Sequence, residues 1–186
     1  MVEDMKNKIT IILGKKGQGK TTKAKELIKG RERLIILDTL GEYQEEPIQL
    51  ENLTTLKIYL SQKTPFRFRI AYKYEEEDIE DIFSVLYKIE QYTLVLEEVD
   101  NYSSANFCPV DLRKIIRYGR HKGINVIATS RRPASVNRLL SSQADDMYIY
   151  RFTEPRDITY IRELTNKETS EKVKSLPDHK SIYLTL

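Results

Sequence analysis

Ile9-Thr10-Ile11-Ile12-Leu13-Gly14-Lys15-Lys16-Gly17-Gln18-Gly19-Lys20-Thr21 passes from an apolar β-branched run into a turn punctuated by glycine. From Gly14 to Thr21 it satisfies G-x-x-x-x-G-K-[ST] at every fixed position, behind a strand and ahead of a helix opening near Lys20. Glycines let the backbone curl so that successive N–H groups converge on phosphate oxygens, and the following helix N-terminus adds a favourable dipole. In this pattern Lys20 reaches the β- and γ-phosphates and the Thr21 hydroxyl binds Mg²⁺. The expected cofactors are ATP and Mg²⁺. Gly14, Lys15, Lys16, Gly17, Gln18, Gly19, Lys20, Thr21 and Thr22 are the expected nucleotide-binding set. A glycine turn with a surface lysine is the plainer reading, but it leaves the complete motif behind a strand unexplained.

Working outward, short apolar runs alternate with amphipathic stretches, the pattern of an α/β parallel sheet. Strands are expected at Lys8–Leu13, Leu34–Asp38, Phe66–Tyr72, Thr93–Glu97, Ile124–Thr129, Met147–Phe152 and Ile182–Leu186. Helical spacing links Leu53, Leu56 and Leu60, then Ile79, Ile82, Phe83, Leu86 and Ile89. It recurs in Ile158, Ile161 and Leu164, behind a Pro155 suited to a first helical turn. With no repeat, low-complexity tract or linker, 186 residues read as one domain, 1–186.

Composition narrows the class. The net charge of +3 permits nucleic-acid binding without demanding it. A single cysteine, Cys108, rules out an internal disulfide framework, and its neighbours Phe107 and Pro109 suggest packing within a loop. Two histidines make a zinc site improbable. The mixed charges of Met1–Lys8 and the short apolar run Ile9–Leu13 form neither a signal peptide nor a membrane span. The expectation is a cytoplasmic protein without membrane insertion.

Thr93-Leu94-Val95-Leu96-Glu97-Glu98 completes the chemistry. Two carboxylates emerge at the C-terminal end of a buried-type strand, the end at which parallel α/β sheets bind ligands. Glu97 is expected beside Mg²⁺, through water, and Glu98 is expected to orient or deprotonate the attacking water. A solvated acidic turn is the alternative, and Asp100 reads as a loop or capping residue. A glutamate beside the metal carboxylate points to water as acceptor. A small-molecule kinase would call for an arginine-rich lid, and none stands out between Glu98 and Ile124.

The stretch Arg113-Lys114-Ile115-Ile116-Arg117-Tyr118-Gly119-Arg120-His121-Lys122-Gly123-Ile124, with Ala128-Thr129-Ser130-Arg131-Arg132-Pro133 after it, resembles the FtsK–HerA family of P-loop ATPases. Ser142-Gln143-Ala144-Asp145-Asp146 leading into Met147–Phe152 looks like the family's next strand, and Leu37-Asp38 with Gly41-Glu42-Tyr43 resembles a feature of HerA-like members. The compact size is nearest to the genome-packaging ATPases of tailless viruses. The resemblance implies a RecA-like additional-strand P-loop NTPase, its mostly parallel sheet flanked by helices on both faces. It implies an ATP-hydrolysing translocase on double-stranded DNA, a homo-oligomeric ring, and a capsid protein as a possible partner. It places the protein in the cytoplasm of the host cell if the gene is viral, associated with a procapsid. Arg117 and Arg120 match the position of the family's arginine finger; a solvated basic helix face is the competing reading. Thr129, Ser130 and Arg131 share the sensor position, where the family commonly has Gln and this chain has Arg131. The Asn101–Phe107 loop resembles a DNA-contacting loop or an ordinary surface loop. A nucleotide-dependent accessory or assembly ATPase is the alternative function, with a small-molecule kinase behind it.

Overall fold

The structure, a computed structural model, describes residues 7–61 and 67–186. Its strands are β1 Ile9–Leu13, β2 Arg33–Leu37, β3 Ile48–Leu50, β4 Phe68–Tyr72, β5 Tyr92–Leu96, β6 Ile124–Ser130, β7 Asp146–Ile149 and β8 Ile182–Thr185. They join in one sheet of order β3-β4-β2-β5-β6-β1-β7-β8, parallel throughout except where β8 pairs antiparallel with β7. Strand β6 stands between β1, which leads into the glycine turn, and β5, which leads into the acids. That interposed strand is the additional strand expected from the sequence.

The helices are α1 Lys20–Leu27, α2 Leu53–Ser61, α3 Ile79–Leu86, α4 Val110–Tyr118, α5 Arg138–Ser142, α6 Pro155–Leu164 and α7 Lys167–Lys174. Strand side chains alternate between two faces. Ile9, Ile11, Leu13, Ile35, Leu37, Leu94, Leu96, Val126 and Ala128 pack on one face with apolar residues of α2 to α7. Ile12, Leu34, Ile36, Val95 and Ile127 face the other way, onto Ala24 and Ile28 at α1 and onto Tyr43. Helices thus flank both faces, but α1 alone among the described helices covers the second. Thr10, Thr93 and Asn125 lie on that thinly covered side, where polar strand residues meet less apolar packing.

Several boundaries differ from the sequence-based expectation. Phe66 lies outside the described residues, and the strand it was expected to open runs from Phe68. The expected Met147–Phe152 strand is shorter, Asp146–Ile149; Tyr150 still donates its N–H to Leu13 O at 2.8 Å before the chain departs toward Pro155. Strand β3 was not anticipated, being three residues whose pairing with β4 is settled by tertiary contact. Helix α7 was missed too. Its charged sequence carries little apolar period, and its start is fixed by the Asn166 side chain accepting from Thr169 N at 2.8 Å.

Candidate nucleotide-binding and catalytic site

The turn after β1 has the backbone its glycines permit. Gly17 and Gly19 sit at φ 78° and 96°, a region costly to residues bearing Cβ. Gly14 is needed for space instead: a Cβ there would lie 3.0 Å from Tyr150 Cβ. The loop is pinned to β6 by Gly14 N donating to Ser130 O at 3.1 Å. Helix α1 then starts at Lys20 with no side-chain cap and no acid in its first turn. Its leading N–H groups have no intrahelical acceptor, so the positive end of the helix is left for an anion. Gln18 is buried, Lys15, Lys16 and Thr22 are exposed, and Thr21 is half-buried.

Lys20 is 6% exposed, and its ammonium lies 3.5 Å from Glu98 Oε1 and 3.5 Å from Lys15 O. Arg131 Nε stands 2.7 Å from the same Glu98 oxygen, an ion pair not aligned as a hydrogen bond. Glu98 itself is 6% exposed and has φ 50° and ψ 52°. A left-handed non-glycine residue costs roughly 1–3 kcal/mol and persists only where surroundings enforce it. Part of that enforcement is the Glu98 N–H, which donates to Thr129 Oγ1 at 3.0 Å.

The Thr129 hydroxyl also donates to Glu97 Oε2 at 2.6 Å, so one side chain on β6 touches both acids. The other Glu97 oxygen accepts from the Tyr43 hydroxyl. Burial is the main influence on Glu97 and pushes its carboxyl above the usual carboxylate value, while these two donors pull it back. The Tyr43 phenol is pushed far upward, first by burial and then by Glu97. Ser130, also expected near the reacting phosphate, is fully buried and its hydroxyl accepts from Arg132 N at 3.0 Å. It shapes the turn, whereas Thr129 and Arg131 meet the acids.

A third segment, not assigned a role from sequence, closes the constellation. Asp38 follows β2 and accepts from Glu42 N at 2.9 Å and Tyr43 N at 3.0 Å, with Gly41 at φ 69° making the turn. That turn sends Tyr43 to Glu97 and Glu42 to Thr21, whose hydroxyl donates to Glu42 Oε2 at 2.8 Å. The signal for it was present: an aspartate at the C-terminal end of a parallel strand, then a glycine. Thr21, Glu97 and Glu42 are all-oxygen donors, as a hard dication requires, so the residues fit Mg²⁺.

Arg117 and Arg120 project from the end of α4 and the turn after it, both exposed. Neither guanidinium pairs with a carboxylate among the described residues. Structure does not bring them to Lys20 or Glu98 of their own chain. In the Asn101–Phe107 loop, Tyr102 is buried edge-on to Tyr74 and beside Phe83, while Phe107 is 50% exposed. Cys108 is buried, as a packing role requires. No described helix is long and apolar enough to cross a membrane.

No family model matches the chain, and no curated protein matches it. Solved structures do. The chain is similar to the genome packaging NTPase B204 from Sulfolobus turreted icosahedral virus 2 in complex with AMPPCP, at TM-score 0.81 and 18% identity, over 96% of this chain and 92% of that one. It is similar to B204, the DNA-packaging ATPase from Sulfolobus turreted icosahedral virus, at TM-score 0.76 and 20% identity over 96% and 92%. VirB4 of Thermoanaerobacter pseudethanolicus matches at TM-score 0.64 and 12% identity over 100% and 88%. At these identities the likeness establishes the fold alone: the chain shares the α/β architecture of these solved structures, a mostly parallel sheet flanked by helices.

Proposed function

We propose that this protein is a Mg²⁺-dependent ATPase that translocates double-stranded DNA, its work being to package a viral genome into a capsid. The observation that carries the reading is Glu98, held across β6 within 3.5 Å of Lys20 Nζ and 2.7 Å of Arg131 Nε. A carboxylate trapped between the phosphate-loop lysine and a second cation suits a base that is unmasked by substrate. The polyphosphate of ATP offers both cations another anion. Glu98 is then released to accept a proton from water as its oxygen attacks the γ-phosphorus and the bond to the ADP oxygen breaks. Lys20 and Arg131 stabilise charge on the transferring phosphoryl group, and Thr129 fixes the spacing of the two acids.

Thr21 and Glu97, with Glu42 beside Thr21, would hold Mg²⁺, Glu97 through water because both its oxygens already accept hydrogen bonds. The ion would neutralise negative charge on the β- and γ-phosphate oxygens. Arg117 and Arg120, exposed and without carboxylate partners among the described residues, suit a finger offered to a neighbouring subunit's ATP. The likeness to viral packaging NTPases supports the rest of the reading: DNA and capsid partners, a ring, and a place in the host cytoplasm at a procapsid.

The test is ATP turnover with and without double-stranded DNA. Lys20→Ala should lose productive ATP binding; Glu98→Gln should bind ATP but turn over at least a hundred-fold more slowly, the scale of a lost general base. Wild-type turnover should rise with added DNA. Full hydrolysis by Glu98→Gln would overturn the base assignment. Hydrolysis indifferent to DNA would replace the motor by an accessory ATPase.

A further inference from the structure

The phosphate loop has two sides in the sheet. Strands β6 and β5 lie to one side of β1, and they carry Arg131, Thr129, Glu97 and Glu98. Lys20 leans to that side, toward Glu98. A triphosphate whose γ-phosphate meets those residues therefore runs back through the loop with its nucleoside leaving on the opposite side, over β7 and β8.

What stands on that side is a turn between α7 and β8. Lys180 N donates to Pro177 O at 3.2 Å, closing the turn. Asp178 Oδ1 accepts from Gln18 Nε2 of the phosphate loop at 3.0 Å and pairs with Arg151 Nη2 at 2.6 Å. His179 follows at φ 61°, a conformation unusual for a residue with a side chain. This brings its imidazole against the loop: a Cβ added to Gly19 would lie 3.6 Å from His179 Nδ1. Tyr150 supports the same place from just after β7, its hydroxyl donating to Gly19 O at 3.4 Å. His179 is exposed, while Oδ1 of the acid beside it is engaged in holding the turn.

We infer that the Pro177–Lys180 turn is the nucleoside wall of the phosphate loop, with the His179 imidazole stacking on the base of a bound nucleoside triphosphate. The inference rests on the reading of Gly14–Thr21 as a triphosphate-binding loop and adds the half of the ligand that the motif does not recognise. Asp178 is a positioning residue, fastening the turn to Gln18 and Arg151. Stacking reads a π-face that every base possesses. The wall therefore adds affinity without strong choice between adenine and guanine.

Calorimetric titration with ATP, GTP and inorganic tripolyphosphate separates base contact from phosphate contact. His179→Asn removes the ring but keeps a residue that tolerates positive φ. It should bind ATP and GTP each about ten-fold more weakly, the scale of one lost base–aromatic stack, and tripolyphosphate with unchanged affinity. His179→Tyr should recover most of the nucleotide affinity. The proposal is overturned if His179→Asn keeps wild-type affinity for ATP and GTP. It is equally overturned if tripolyphosphate weakens in step, because the turn then acts by shaping the loop. Lys20→Ala guards the underlying reading. If it binds tripolyphosphate and ATP as wild type does, the phosphate-loop assignment fails, and the nucleoside wall with it, whatever His179→Asn shows.

Discussion

Glu97 would serve two opposed demands under the proposed function, burial within the fold and charge beside Mg²⁺. Burial raises its carboxyl above the ordinary 4.5, and the Thr129 and Tyr43 donors offset only part of that. An acid whose pKa rises on folding holds its proton more tightly in the native than in the unfolded chain. Its contribution to stability is complete below 4.5 and is lost as pH climbs through the native value. Glu97→Gln carries no such proton. Urea unfolding at a series of pH values should therefore show the wild type losing stability relative to Glu97→Gln as pH rises above 4.5. A difference that does not change with pH would mean that Glu97 titrates as an ordinary carboxylate. Tyr43→Phe removes a donor to the ionised form and should move the loss to higher pH. Read from the sequence, Glu97 and Glu98 were identifiable because two acids ended an apolar strand. The partners that set their behaviour were not. Tyr43 reaches Glu97 from 54 positions away, through a turn built by Asp38.

Elements were legible where local pattern and tertiary need coincide. β1, β5 and β6 are buried along their whole length, so their sequences are mostly apolar. α3 and α6 show their period because one face packs on the sheet. β3 and α7 carry too little apolar signal, and the Pro177–Lys180 turn is fixed by Gln18 and Arg151, distant in sequence. Connections carry information of their own, and Gly123, at the entry to β6, shows how much. Its φ is 71°, and an added Cβ would stand 3.1 Å from Gln91 Cα and 3.3 Å from Gln91 N. Gln91 cannot retreat easily, because its N–H donates to Lys122 O at 2.8 Å and its own φ is 56°. Gly30 has a similar φ of 80° but open space around it. Gly30→Ala should cost about 1 kcal/mol of backbone strain. Gly123→Ala should cost roughly 2–4 kcal/mol, strain together with the crowding against Gln91. Thermal melts should rank the pair, with Gly123→Ala lower by several degrees. Equal melting temperatures would mean that the two turns can part without loss.

At the scale of the whole molecule, the chain places the glycine-rich loop and the two acids at one end of the sheet, and on an exposed surface two arginines that have no carboxylate partner among the described residues. If Arg117 or Arg120 completes a neighbour's site, a single chain lacks part of its catalytic equipment, and activity is a property of the interface. Arg117→Ala or Arg120→Ala protein keeps its own phosphate loop and Glu98 but fails its neighbour. Lys20→Ala protein cannot use its own ATP yet still presents both arginines. Mixing the two inactive proteins should create interfaces with an intact loop on one side and an intact finger on the other, and those interfaces should hydrolyse ATP. DNA should raise the recovered rate if it organises the ring. Added salt should lower that stimulation as phosphate contacts lose their counterion-release advantage. Full activity of the arginine variants alone would make these residues a solvated basic face. Inactive variants that mixing cannot rescue, with wild type eluting as a monomer in the presence of ATP and DNA, would leave no interface for a finger to cross. The ring reading would then give way to an ATPase that acts as a single chain on a protein partner.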